Sequence, residues 1–168
     1  MTYYTILKTK KIGALFLLAN DTDLIGAYYL DSKRVPKIKK DWAHMPRQSI
    51  LAQAAEQIKE YLGGTRKTFS IPIHFDGTEF QERIWTYTAK IPYGETLSYS
   101  ELAKKAGVPA AVRATGSALA KNQIDIIVPA HRVIAKGGGT GGYTGKSNRK
   151  VNLLELEKLR RIEAGMAK

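Results

Sequence analysis

The spacing of apolar residues changes character near the middle of this chain. Residues 3–7 (Tyr-Tyr-Thr-Ile-Leu), 12–19 and 24–30 are short runs rich in aliphatic and aromatic side chains, separated by polar turns. Runs of this length bounded by turn formers predict strands, and Asn20-Asp21-Thr22-Asp23 is a good hairpin connection. Three antiparallel strands are therefore expected. Leu51, Ala54, Ala55, Ile58 and Leu62 then recur at helical spacing, predicting a helix over 49–62. Gly63-Gly64 ends it, since glycine takes the left-handed cap conformation cheaply. The basic stretch 33–40, interrupted by Pro36, reads as an exposed and solvated loop. Phe69-Ser70-Ile71-Pro72-Ile73 reads as extended, and Asp76-Gly77 as a boundary.

Beyond that boundary the period is helical. Thr78-Glu79-Phe80-Gln81 is a capping box, and it opens a helix with Phe80, Ile84, Tyr87 and Ile91 along one face. Ser98-Tyr99-Ser100-Glu101 is a second one, followed by a short helix that stops at Gly107. Pro109 is placed as the first residue of a third helix, running to about Asn122. Short helix, glycine turn, helix is the pattern of a helix-turn-helix, although any pair of packed antiparallel helices would look the same. The third helix is nearly bare: Ala110, Ala111, Ala114, Gly116, Ser117, Ala118 and Ala120 leave Arg113 projecting from a thin rod. Small residues permit close approach, either to a neighbouring helix or to a nucleic-acid groove. The expected fold class is α+β. A small N-terminal antiparallel sheet plus helix occupies 1–75, and a helical domain with a winged helix-turn-helix occupies 76–168.

Charge sharpens the second option. Lys and Arg outnumber Asp and Glu by 27 to 15, a formal +12. The excess divides evenly, with 12 basic against 6 acidic residues in 1–75 and 15 against 9 in 76–168. A field of that sign attracts phosphate backbones. There is no cysteine, which excludes disulfides, thiolate zinc sites and thiol nucleophiles. His44, His74 and His131 show no metal-ligand spacing, so neither a metal nor another cofactor is expected. The N-terminus lacks the succession of a signal peptide, and the longest apolar run, 12–19, is too short to span a bilayer. A cytoplasmic monomer without membrane contact is expected, or a nuclear one in a eukaryotic host.

The segment Val128-Pro129-Ala130-His131-Arg132-Val133-Ile134 resembles the Pro-Cys-His-Arg-Val signature of the O6-alkylguanine-DNA alkyltransferases, with alanine where that family has its reactive cysteine. Other stretches are similar to the family in the same order. They are Gly77 to Gln81, Pro92-Tyr93-Gly94-Glu95-Thr96, Ser98-Tyr99, Ala111-Val112-Arg113-Ala114, Asn122, Gly141-Gly142-Tyr143-Thr144-Gly145 and Lys150 to Glu157. Together they cover essentially all of 76–168. The first half resembles the family's smaller, ribonuclease-H-like α/β domain in outline.

The resemblance implies a partner and a site. Its helix-turn-helix binds the minor groove of double-stranded DNA and extrudes an O6-alkylguanine into a pocket. Arg113 matches the arginine that fills the vacated stack, partly restoring the few kcal/mol lost on unstacking. Tyr99, Ala114, Gly116, Ser117, Leu119 and Val133 fall with it among the implied DNA- and base-binding positions. Tyr143, Thr144 and Gly145 match the loop that walls the pocket, bracketed by glycines that suit a lid. Asn122 matches the residue that holds the turn before the signature, followed here by Gln123 where relatives often have proline. The buried extended segment Ile124 to Val128 would carry Ala130 to the pocket floor. His131 and Glu157 match a relay in which glutamate orients histidine and histidine, through a water, deprotonates the cysteine. Ala130 marks the lost nucleophile, and neither Ser117 nor Thr144 replaces it.

Three readings follow. One is an alkyltransferase-like lesion sensor that binds without transfer and recruits other repair proteins. The second is a genuine transferase whose cysteine was changed to alanine. The third is a basic winged-helix transcription regulator, which has no reason to retain the pocket loop.

Overall fold

The three apolar runs form strands β1 (Tyr3–Thr9), β2 (Gly13–Ala19) and β3 (Leu24–Tyr29), antiparallel in the register Tyr3–Ala19 and Leu15–Tyr29. The β2–β3 turn is closed by Asn20, whose Oδ1 accepts from the backbone N–H of Thr22 and Asp23 at 2.9 and 2.7 Å. A fourth strand, β4 (Ala43–His44), pairs with β1 in parallel, giving the order β3-β2-β1-β4. The three antiparallel strands are as expected, and this short parallel strand is added to them. Two residues are too few to show a period, and the strand is held by backbone bonds from Ala43 N–H to Thr2 O and from Met45 N–H to Tyr4 O.

Helix α1 (Ser49–Leu62) packs on β1, β2 and β3. Its face of Leu51, Ala54, Ile58 and Tyr61 is fully buried, as are Leu15, Leu17, Leu24, Ala27 and Tyr29. Each fully buried aliphatic side chain of this size contributes about 1.5–3 kcal/mol, so a charge at Ile58 would undo the sandwich. Of the stretch 69–73, only Ile73 pairs, through a parallel bridge to Leu24.

The structure, a computed structural model, describes residues 1–135 and 147–166. They fall into two units, Met1–Asp76 with Gln123–Ile127, and Gly77–Asn122 with Val128–Lys168. The excursion 123–127 is not the extended segment expected from its isoleucines. Ile124 makes one parallel bridge to Ala27. The chain then closes a three-residue turn, in which Ile127 N–H donates to the Asp125 carbonyl at 2.9 Å around Ile126 at φ 74°. A β-branched residue at positive φ costs about 1–3 kcal/mol, offset here by the burial of its side chain. Gln123 does the work expected of a backbone. Its amide accepts from Asp76 N at 3.0 Å and donates to Asp76 O at 2.6 Å.

In the second unit both capping boxes are formed. They open α2 (Glu79–Ala89) from Thr78 and α3 (Tyr99–Lys105) from Ser98. The largest buried side chain of α2 is Trp85, outside the face read from the sequence. Its indole N–H donates to Ala118 O at 2.8 Å. Gly107 at φ +78° stops α3. Pro109 is not the first residue of the next helix. It sits second in a four-residue turn closed by Ala111 N–H to Val108 O, the turn position that suits proline's fixed φ. Helix α4 therefore runs from Val112 to Ala120, and Lys121 and Asn122 close it with tightened i−3 bonds. β5 (Leu97–Ser98) pairs in parallel with β6 (Val133–Ile134), and α5 spans Ser147–Met166. Among the described residues no helix is long and apolar enough to cross a membrane.

Candidate active site

The signature segment is placed by its flanks. Asn122 is fully buried, and its side-chain amide donates to Val128 O at 3.1 Å. It thereby ties together the two ends of the excursion 123–127. A second three-residue turn, Ala130 N–H to Val128 O at 2.8 Å, bends the chain at Pro129. A single 3₁₀ turn, Ala130–Arg132, follows and feeds β6. Ala130 is 7% exposed, and His131 directly after it is fully buried.

Beneath Ala130 lies a polar cluster. His131 Nε2 is 2.7 Å from Glu157 Oε2 on α5. Arg132 grips the same carboxylate as a fork, with Nε 2.9 Å from Oε1 and Nη2 3.0 Å from Oε2. The backbone N–H of Gly94 donates to Oε1 at 2.9 Å. The third guanidinium nitrogen reaches Ile91 O at 2.7 Å, and the plane lies 5.6 Å over the Tyr93 ring. Gly94 is required in this arrangement. It holds φ +79°, and a Cβ there would come within 3.2 Å of Arg161 Cδ. Lys150, also on α5 and buried, donates to Val133 O.

These contacts fix the charges. Burial raises the Glu157 carboxyl, but the hydrogen bond from His131 and then the hydrogen bonds and charge of Arg132 outweigh it and hold the group at about 2. Burial pushes His131 below its ordinary value, against the pull of Glu157 and with Arg132 and Lys150 adding to the push. Burial likewise lowers Lys150 to about 8. An ionised carboxylate facing a neutral imidazole assigns the proton to Nε2 and leaves the lone pair on Nδ1. This is the tautomer of a base oriented by a third group.

The helix-turn-helix separates the remaining candidates. Arg113, Ala114 and Ser117 are exposed on one face of α4, which Lys121 extends. Gly116 is half-buried, with the Tyr99 ring 3.8 Å from where its Cβ would be, so Tyr99 lies against the outer helix. Leu119 and Val133 do not belong to an exposed binding face. Leu119 shares the inward side of α4 with Thr115 and Ala118, and both side chains pack in the core with Ile84, Ile91 and Leu102. Tyr143, Thr144, Gly145 and the neighbouring glycines lie outside the described residues. Sequence reasoning missed Arg132 as the second partner of Glu157, and Lys150 as a buried cation. Nothing in their spacing marks either one. Among the described residues no group of three or more His, Asp or Glu is arranged to hold a metal ion.

A small α+β unit, a helix-turn-helix unit and a buried His-Glu pair at a Pro-Ala-His-Arg-Val turn define the class of DNA-repair alkyltransferases. Residues 2–75 match the family model "6-O-methylguanine DNA methyltransferase, ribonuclease-like domain", and 79–159 match "6-O-methylguanine DNA methyltransferase, DNA binding domain". The chain belongs to the methylated-DNA–protein-cysteine methyltransferase family. It is 43% identical over 147 residues to the enzyme of Mycobacterium leprae, covering 88% of this chain and 87% of that one. It is 39% identical over 162 residues to the constitutive enzyme of Bacillus subtilis, covering 95% and 97%. The crystal structure of Mycobacterium tuberculosis OGT in complex with DNA superposes with a TM-score of 0.86 at 39% identity, covering 94% of each chain. Against relatives named for a cysteine, this chain has none.

Proposed function

We propose that this protein, as its sequence stands, binds O6-alkylguanine in double-stranded DNA, flips the base into the pocket and transfers nothing. The observation that carries the reading is Ala130 at the head of an otherwise assembled His131–Glu157 pair. A methyl group has no electron pair to offer an alkyl carbon. The crystallised Mycobacterium tuberculosis relative in complex with DNA supports the choice of partner. So does the exposed row of Arg113, Ala114, Ser117 and Lys121 on α4. In the test, duplex carrying a labelled O6-methyl group is incubated with the protein and the mixture is denatured. Label should remain on the DNA while native gels show a complex. Stoichiometric label on the protein would overturn the reading.

The second reading is a silenced form of a genuine transferase. The observation in its favour is the complete set of contacts around Glu157, which a sensor without a thiol does not need for chemistry. The natural gene sequence at codon 130 separates the two.

Arg113 is the residue expected to fill the gap left by the extruded base. Arg113→Ala should weaken lesion binding by more than the loss of one phosphate contact and should abolish the signal of a fluorescent base analogue beside the lesion. Equal losses on damaged and undamaged duplex, with flipping intact, would reduce it to a backbone contact. Affinity should also fall with salt at a log–log slope of roughly −4 to −5, as expected for ~4–6 neutralised phosphates. Preference for the lesion should persist, because base contacts release no counterions. A slope near zero would remove the electrostatic argument.

A further inference from the structure

We propose that Arg132, backed by Lys150, is a positioning residue whose charge keeps His131 neutral with its proton on Nε2. This deepens the proposed function, since it concerns the group that would serve an acceptor at position 130. The argument begins with Glu157. A buried carboxylate facing a lone histidine normally draws a proton onto the ring, because two opposite charges in a poorly solvated site stabilise each other. The pair would then be imidazolium and carboxylate, with no lone pair left for base chemistry.

The geometry answers that tendency. Glu157 already faces a permanent cation, held by a two-point fork at 2.9 and 3.0 Å and backed by the Ile91 carbonyl and the Tyr93 ring. A guanidinium does not give up its proton at any working pH. The charge of Glu157 is thus matched before His131 takes any proton. Among the described residues, the charged or titratable groups that act on the ring are Glu157 and Lys150 from α5 and Arg132 from its own 3₁₀ turn. The turn at 92–95 contributes the Gly94 N–H to the carboxylate. With the carboxylate already matched by Arg132, an imidazolium would be a second cation on one anion. The described side-chain contacts of Arg132 are to Glu157, the Ile91 carbonyl and the Tyr93 ring, so it acts on His131 through Glu157.

The test needs neither DNA nor transfer, so its failure is separate from failure of the proposed function. The chain has three histidines, and His44 and His74 are not buried, which makes ¹⁵N-histidine NMR directly assignable. In the unmodified protein His131 should show the Nε2–H neutral signature at pH 7, with a midpoint below the ordinary ~6.5. Arg132→Gln keeps hydrogen-bonding atoms and removes the charge, and should raise that midpoint by about one pH unit or more. Arg132→Lys, which retains the charge and loses the fork, should stay neutral at pH 7. A merely structural role predicts that both variants perturb the ring alike. If Arg132→Gln does not fold, Lys150→Met decides, because it leaves the His131, Arg132 and Gly94 contacts to Glu157 in place. An upward shift there supports the proposal and an unmoved His131 overturns it. A folded Arg132→Gln protein with His131 still neutral and unshifted overturns it outright.

Discussion

Ala130→Cys should turn the protein from a carrier of no label into an acceptor of one alkyl group per chain. The substitution adds one sulfur beside a histidine already buried, neutral and hydrogen-bonded at 2.7 Å to an ionised glutamate. The thiolate is the nucleophile, and a neighbouring base supplies it at neutral pH. In the transfer the sulfur–carbon bond forms as the carbon–O6 bond breaks, and the thioether product cannot be turned over. The reaction should therefore stop at one equivalent. Label counted after denaturation, with Ala130→Cys/His131→Ala as the control, measures it. A variant that folds and binds damaged DNA but takes no label would show that the pocket has diverged in more than its nucleophile. The same outcome would weaken the silenced-transferase reading and leave the sensor.

Glu157→Ala should destabilise the second unit by about 3–5 kcal/mol, because it strands a buried guanidinium without its carboxylate. Chemical denaturation monitored by Trp85, which is buried against α4 in that unit, reports the loss. A companion Arg132→Met/Glu157→Met protein removes both charges and should recover much of the stability, as replaced buried pairs often do. If Glu157→Ala unfolds within ~1 kcal/mol of the unmodified protein, the cluster does not hold α5 in place. Acid should mimic the substitution. The Glu157 carboxyl is held at about 2 in the folded chain, below the ordinary 4.5. Its contribution is therefore complete above ~4.5 and is lost as pH falls from there toward 2. His131, also lowered, acts in the same direction at higher pH. Below ~6.5 the unfolded chain takes a proton that the folded one refuses, so stability declines with acid from that point down. A midpoint of unfolding that is flat between pH 7 and pH 3 would contradict both assignments.

Periodicity and punctuation made much of this protein legible from its residues. The short apolar runs of the first half carried β1 to β3, and Leu51 to Leu62 marked α1 to within its observed ends. Thr78 and Ser98 announced α2 and α3 because a capping box is a contact between near neighbours, whose geometry the sequence alone dictates. The order of short motifs carried the family, and Ala130 carried the missing chemistry. Other features depended on residues far apart in the chain. Strand β4 exists because β1 offers it a free edge, and Pro109 forms a turn because Gly107 has already ended α3. Leu119 reads as part of a binding helix, but the packing of α4 on α2 turns it into the core. The cluster around Glu157 joins residues 94, 132 and 157, and Trp85 finds its carbonyl 33 positions away. The sequence determined the local elements, the family and the absence of a nucleophile, because each is written in neighbouring residues. Only the tertiary structure decided which charges meet out of water, because burial and pairing over such separations exist only once the chain has folded.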